Sequence, residues 1–133
     1  TISSADIESD GIGGYGDGYD ELLVGQGPSS GLNAELRILD YDNVGLSQKF
    51  AVTPYTSMYG VIPAGGDVDA GDTEEVVTAP GPDPTAAARI MSWEWNPALG
   101  VSTTADLQPI GPDDFIAFPG QSYGAGVAIG TFE

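Results

Sequence analysis

The chain of 133 residues carries 20 Asp and Glu against 3 Lys and Arg, a net charge of −17, and has neither Cys nor His. One domain of this length with 41% apolar residues can bury a core. A disulfide framework, a Cys- or His-ligated zinc site and a His-activated nucleophile are excluded, and the isolated Arg37, Lys49 and Arg89 do not form the basic surface that nucleic acid or an anionic membrane needs.

Residues 1–31 are rich in Gly, Ser and Asp, and only "ELLV" reads as a strand. This stretch is expected to be a flexible tail in an isolated monomer. In an assembly it is expected to be an extended arm, ordered on a neighbour through Tyr15, Tyr19 and Leu22–Val24. From residue 32 the chain changes character. Short apolar runs recur at 35–41, 46–53, 56–62, 73–79, 88–95, 100–107, 113–118 and 122–132. Between them lie "YDNVG", "PAGGDVDAGD", "PGPDP", "NPALG", "QPIGP" and "PG". The 20 Gly and 10 Pro favour turns over long helices. This cadence predicts an all-β antiparallel sandwich over residues 32–133, with an extended N-terminal arm. "PTAAARIM" is the one place where a short helix could begin, with Pro84 in its first turn. No run approaches roughly 18 apolar residues and no N-terminal stretch resembles a signal peptide, so a soluble chain without membrane insertion is expected.

Two strands are informative. In "ARIMSWEW", Arg89, Met91, Trp93 and Trp95 share one face by period-two alternation. They form either a core or edge strand with large side chains, or a ligand platform or subunit interface in which Arg89 stacks over an indole of Trp93 or Trp95. In 122–132, Tyr123, Ala125, Val127, Ile129 and Thr131 alternate with Gly and Ala. One face is expected in the core, and the bare one lets another backbone approach.

Motif matches are weak. "GIGGYG" fits the dinucleotide pattern G-x-G-x-x-G, but no strand precedes it and no helix follows. "GQSYG" fits the nucleophile elbow, but Ser122 has no His to activate it. Twenty acids guarantee some carboxylate pairs by accident, so none is nominated as a glycosidase pair. Asp67, Asp69 and Asp72 in "GGDVDAGDTEEVV" are weak cation candidates. A calcium loop starting at Asp67 places Asp72 where Gly is required and Thr78 where the bidentate Glu belongs. The stretch reads as a solvent-facing acidic connection, with loosely held K+, Na+ or Ca2+ as the most it would bind. No catalytic residue and no cofactor is expected.

"ARIMSWEWNPALG" and "DDFIAFPGQSYGAGVAIGTF", within an acidic, turn-punctuated chain, resemble virion structural proteins of haloarchaeal viruses, such as small jelly-roll capsid, cement, decoration or turret proteins. The resemblance implies a jelly-roll-like sandwich and a non-enzymatic role in the virion. It implies a homo-oligomer, trimer or pentamer, docked on other capsid proteins. The short chain favours an accessory role over a major shell role. The alternative is a ligand-binding β-sandwich module of a haloarchaeal surface or secreted protein, using Arg89, Trp93 and Trp95.

Self-repulsion at −17 opposes compaction in dilute buffer, whereas at about 1 M salt the Debye length falls to about 3 Å. Circular dichroism from about 0.1 M to about 4 M KCl is therefore expected to show folded structure gained with salt. Equal stability at both ends would contradict this.

Overall fold

A computed structural model of the chain describes residues 1–7, 18–41, 44–68, 73–95 and 107–129. The described residues form eight strands and no helix. These are β1 (Ile2–Ala5), β2 (Glu21–Gly25), β3 (Ala34–Tyr41), β4 (Leu46–Tyr55), β5 (Val61–Gly66), β6 (Glu75–Pro80), β7 (Arg89–Trp95) and β8 (Leu107–Ile116). They make two four-stranded antiparallel sheets, in the orders β1-β2-β3-β4 and β5-β6-β7-β8. The expected all-β sandwich therefore forms. The jelly-roll detail does not: a Greek key returns its fourth strand beside the first, and each sheet here is a sequential meander.

The N-terminal stretch differs from the expectation of an arm or tail. Its described residues supply β1 and β2, and Ala5, Ile7 and Leu23 are fully buried. Residue 31 is thus no packing boundary, because β2 pairs directly with β3. With Ile2 its only large apolar residue, "ISSA" leaves no apolar alternation by which β1 could be recognised. The chain is held here through its backbone instead, the Thr1 amino group donating to the Gly25 carbonyl (3.1 Å) and Gly25 N–H to the Thr1 carbonyl (2.9 Å), while Thr1 Oγ1 donates to the Val61 carbonyl (2.8 Å). At Gly25 a Cβ would collide with the Val61 carbonyl, so only glycine lets β5 lie this close.

Between the sheets lies the main core, built from Leu23, Leu36, Ile38 and Phe50 of the first sheet and Val61, Val76, Trp93 and Leu107 of the second. Period-two alternation aims these side chains inward, and each large apolar one contributes about 1.5–3 kcal/mol. A second apolar layer covers the other face of the second sheet. There Val77, Ala79 and Ile90 pack against Ala117, Ala125, Val127 and Ile129. β6 is consequently buried along its whole length. Residues 124–129, expected within a strand, join no ladder. Their alternation holds: 125, 127 and 129 are half-buried while 126 and 128 are exposed. Tyr123 and Gly124 both have positive φ, 77° and 75°. This bend turns the segment over the sheet face instead of along the β8 edge.

Prolines explain two further differences. The expected turn "QPIGP" lies inside β8, and Pro63 lies inside β5. Both are edge strands, where a missing N–H removes no ladder bond. The short helix at 84–91 is absent. Asp83 instead accepts from Thr85 N–H and Thr85 Oγ1, both at 2.8 Å, and closes a bend leading into β7.

Tyr55 fastens the sheets to each other. The Tyr55 hydroxyl, at the end of β4, lies 2.7 Å from the Thr78 carbonyl, 2.9 Å from the Arg89 carbonyl and 3.1 Å from Thr78 Oγ1. Trp93 Nε1 donates to Thr78 Oγ1 (3.1 Å), which donates to the Met91 carbonyl (3.2 Å). Burial pushes the Tyr55 hydroxyl up to about 12. The folded state thus holds this proton more tightly than the unfolded chain, whose phenol titrates near about 10. Stability from this group is intact below pH about 10 and is lost as pH rises toward about 12. Tyr55→Phe is expected to cost about 1–3 kcal/mol and to weaken this alkaline destabilisation, as read by denaturant melts across pH. Unchanged stability with an unchanged alkaline profile would contradict the role given to Tyr55.

Candidate interaction surface

The residues expected to meet a ligand or partner are scattered. Tyr15, Asp69 and Asp72 lie outside the described residues. Tyr19 is exposed ahead of β2, and Asp67 is exposed just after β5. Among the described residues no group of three or more Asp or Glu is placed to hold a metal ion. The indole platform is corrected by burial. Trp93 is 8% exposed within the core, and Trp95 packs half-buried against the same core. Met91 joins them, so this face of β7 is the inner one. Arg89 does not stack on an indole. Its Nε donates to Asp114 Oδ1 at 2.7 Å, and its guanidinium holds the Asp114 carboxyl below the usual carboxylate range.

The other cations are engaged in the same way. Arg37 sits on Glu35 and Lys49 on Asp40. All three basic side chains of the protein therefore face carboxylates. The buried acids serve the backbone. Glu21 Oε2 accepts from Ile7 N–H (3.0 Å), and Glu75 Oε2 from Val68 N–H (2.8 Å). Asp83 takes the Ser57 hydroxyl (2.7 Å) besides the two Thr85 donors, and these bonds hold its carboxyl below its ordinary range. A carboxylate bonded this way is favoured in its charged form, which suits a structural acceptor.

Leu22 is brought into a larger pattern. Its neighbours Leu23, Ile38 and Phe50 point inward, so Leu22 points out from the first sheet. The register sets Ile2, Val24, Arg37 and Ala51 side by side across the four strands, with Leu22 opposite Leu39 in an adjacent row. Ile2 is 70% exposed, and Leu22, Val24, Leu39 and Ala51 are half-buried. Tyr41 and Leu46, paired at the far end of β3 and β4, are exposed. The outer face of the first sheet thus carries apolar side chains in two neighbouring rows, with Arg37 in one and Ser4 and Gln48 in the other. Sequence alternation in "ELRILDY" contained half of this signal, since Leu36, Ile38 and Leu39 cannot all face one side. Ile2 could not be foreseen without recognising β1.

The second sheet carries a different feature. Beneath the segment 124–129 is an open cleft of about 550 Å³. Val77 and Ile90 of β6 and β7, Phe115 of β8, Phe118, and Val127 and Ile129 of the covering segment line it. Ser92 and Asp67 are its polar members. No protein-family model matches this chain, and no curated protein or solved structure shows significant similarity to it.

Proposed function

We propose that this protein is a non-enzymatic structural component of a halophilic virus particle, a minor capsid, cement, decoration or turret protein that acts as a homo-oligomer packed on other capsid proteins. The observation that carries the reading is the group of apolar side chains on the outer face of the first sheet, exposed Ile2 beside Val24 in one row and Leu22 beside Leu39 in the next. Exposed apolar side chains grouped on one face support an interaction site, and a sheet face suits sheet-on-sheet packing between subunits. Multimolar salt strengthens such packing while screening repulsion between two chains of charge −17. The buried acids support a structural role as well, because Glu21, Glu75 and Asp83 are bonded to backbone and hydroxyl donors.

Light scattering coupled to size exclusion in multimolar KCl is expected to give one defined oligomer. The double variant Leu22→Asp with Leu39→Asp is expected to be monomeric with an unchanged circular dichroism spectrum. A wild-type chain that stays monomeric, or a variant that assembles as the wild type does, would contradict packing through this face. The virion assignment has its own arm: the protein should band with virus particles on a density gradient, and recovery only from soluble or cell-surface fractions would contradict it.

A further inference from the structure

We propose that residues 125–129 form a hinged strap, latched by Ile129 on Gly66, that opens to bare the outer face of the second sheet while the rest of the sandwich stays folded. The strap is on the opposite side of the molecule from the proposed packing face and does not depend on that role.

The strap supplies most of the cover of this face. Val77, Ala79 and Ile90 point away from the main core, yet they are 9%, 0% and 6% exposed. Packed on them are Ile62, Ala117 and the strap residues Ala125, Val127 and Ile129. Gly124 lies against the Pro80 and Gly81 carbonyls, at one end of β6. Ile129 lies against Gly66, which pairs with Glu75 at the other end. Residues 124–129 therefore span the length of the buried middle strand.

The strap is anchored at one end and loose beyond it. Tyr123 N–H donates to the Asp83 carbonyl (2.8 Å), Ser122 bridges to Ala87, and Ala125 N–H reaches the Pro80 carbonyl only at 3.4 Å. Among the described residues no hydrogen bond holds 126–129. Gly124 has a φ of 75°, and a Cβ there would strike the Pro80 and Gly81 carbonyls. The chain thus leaves its anchor through a position that only glycine fits, and glycine is also the residue that most readily absorbs a backbone rotation. This is the hinge.

Without a ladder, the strap is retained by the burial of three side chains. Ala125, Val127 and Ile129 are only half-buried, and the open cleft of about 550 Å³ lies beneath them. Ordering each backbone residue costs conformational entropy. A segment that offsets this cost by partial burial alone opens locally, well below the free energy of global unfolding. Ile129 is the fastening at the far end, because a Cβ on Gly66 would come to 2.5 Å from its Cγ2 and 3.0 Å from its Cβ. The bare glycine is the seat on which the isoleucine rests. β6 is laddered on both sides and bonded to Tyr55, so it stays in place when the strap lifts.

The chain has no cysteine, so single introduced thiols report which face is reached. Ala79→Cys places a thiol under the strap, and Val76→Cys places one on the same strand facing the main core. The full chain is labelled in multimolar KCl with dithiodipyridine, a neutral thiol reagent. Ala79→Cys is expected to react at least about a hundredfold faster than Val76→Cys, which waits for global unfolding. It should still react at least about tenfold more slowly than a thiol at the exposed position of Thr53→Cys. Ile129→Ala should speed the labelling of Ala79→Cys about tenfold and leave that of Val76→Cys within about twofold. Gly66→Ala should act likewise, and should add less than about threefold in the Ile129→Ala background, since both act on one contact. Three results would each overturn the proposal: equal rates for Ala79→Cys and Val76→Cys, Ala79→Cys reacting as fast as Thr53→Cys, or fully additive effects of Gly66→Ala and Ile129→Ala. Should Val76→Cys fail to fold, Ala34→Cys in the same core serves as the reference.

Discussion

The hydrogen-bonded knot of Tyr55, Thr78 and Trp93 is the interaction on which the rest of the fold depends. β6 is buried on both faces, so any polar group it carries inward must be satisfied by a neighbour. Thr78 is such a group, fully buried in the middle strand. Its hydroxyl accepts from the Trp93 indole and donates to the Met91 carbonyl, and its own carbonyl takes the Tyr55 phenol. One threonine thus ties the end of β4 to β6 and β7, across the interface between the sheets. Hydrophobic burial is non-directional, so this directional contact helps fix the register in which two meanders face each other.

Around this knot the molecule separates its acids by role. Those that are buried are bonded to amides or hydroxyls: Glu21 to Ile7, Glu75 to Val68, Asp83 to Ser57 and Thr85. Among the other described acids Asp20 and Asp67 are exposed, and the three basic residues sit within reach of carboxylates. An acidic exterior over a modest core is a marginal arrangement in dilute buffer and a workable one in brine, where screening removes most of the repulsion. The same exterior makes apolar surface conspicuous. The outer face of the first sheet and the cleft on the second are where this protein departs from its own pattern.

Turn chemistry and two-residue alternation made most of the fold legible. β3, β4, β6 and β7 fall within a few residues of the apolar runs that predict them, because each carries a buried apolar face and turn residues stand near its ends. β1 was illegible because "ISSA" has no alternation and is held by its backbone. Residues 124–129 have the right alternation without a ladder, since alternation reports burial of one face and not hydrogen bonding. Prolines at 63 and 109 read as turns because edge position is a property of the sheet and cannot be seen in a single strand. For the sites, the sequence favoured a core or edge strand for Trp93 and left a platform open, and the packing of this face into the main core decides it.

The central claim is that β6 is the buried middle of three layers, locked to the first sheet and covered by a segment that joins no ladder. Native-state hydrogen exchange in high salt tests it most directly. The amides of Val76, Val77, Thr78 and Ala79 should be among the slowest, exchanging through global unfolding, while those of residues 125–129 exchange by local opening at rates at least about a hundredfold faster. Equal protection of the two segments, or faster exchange in β6, would contradict the account.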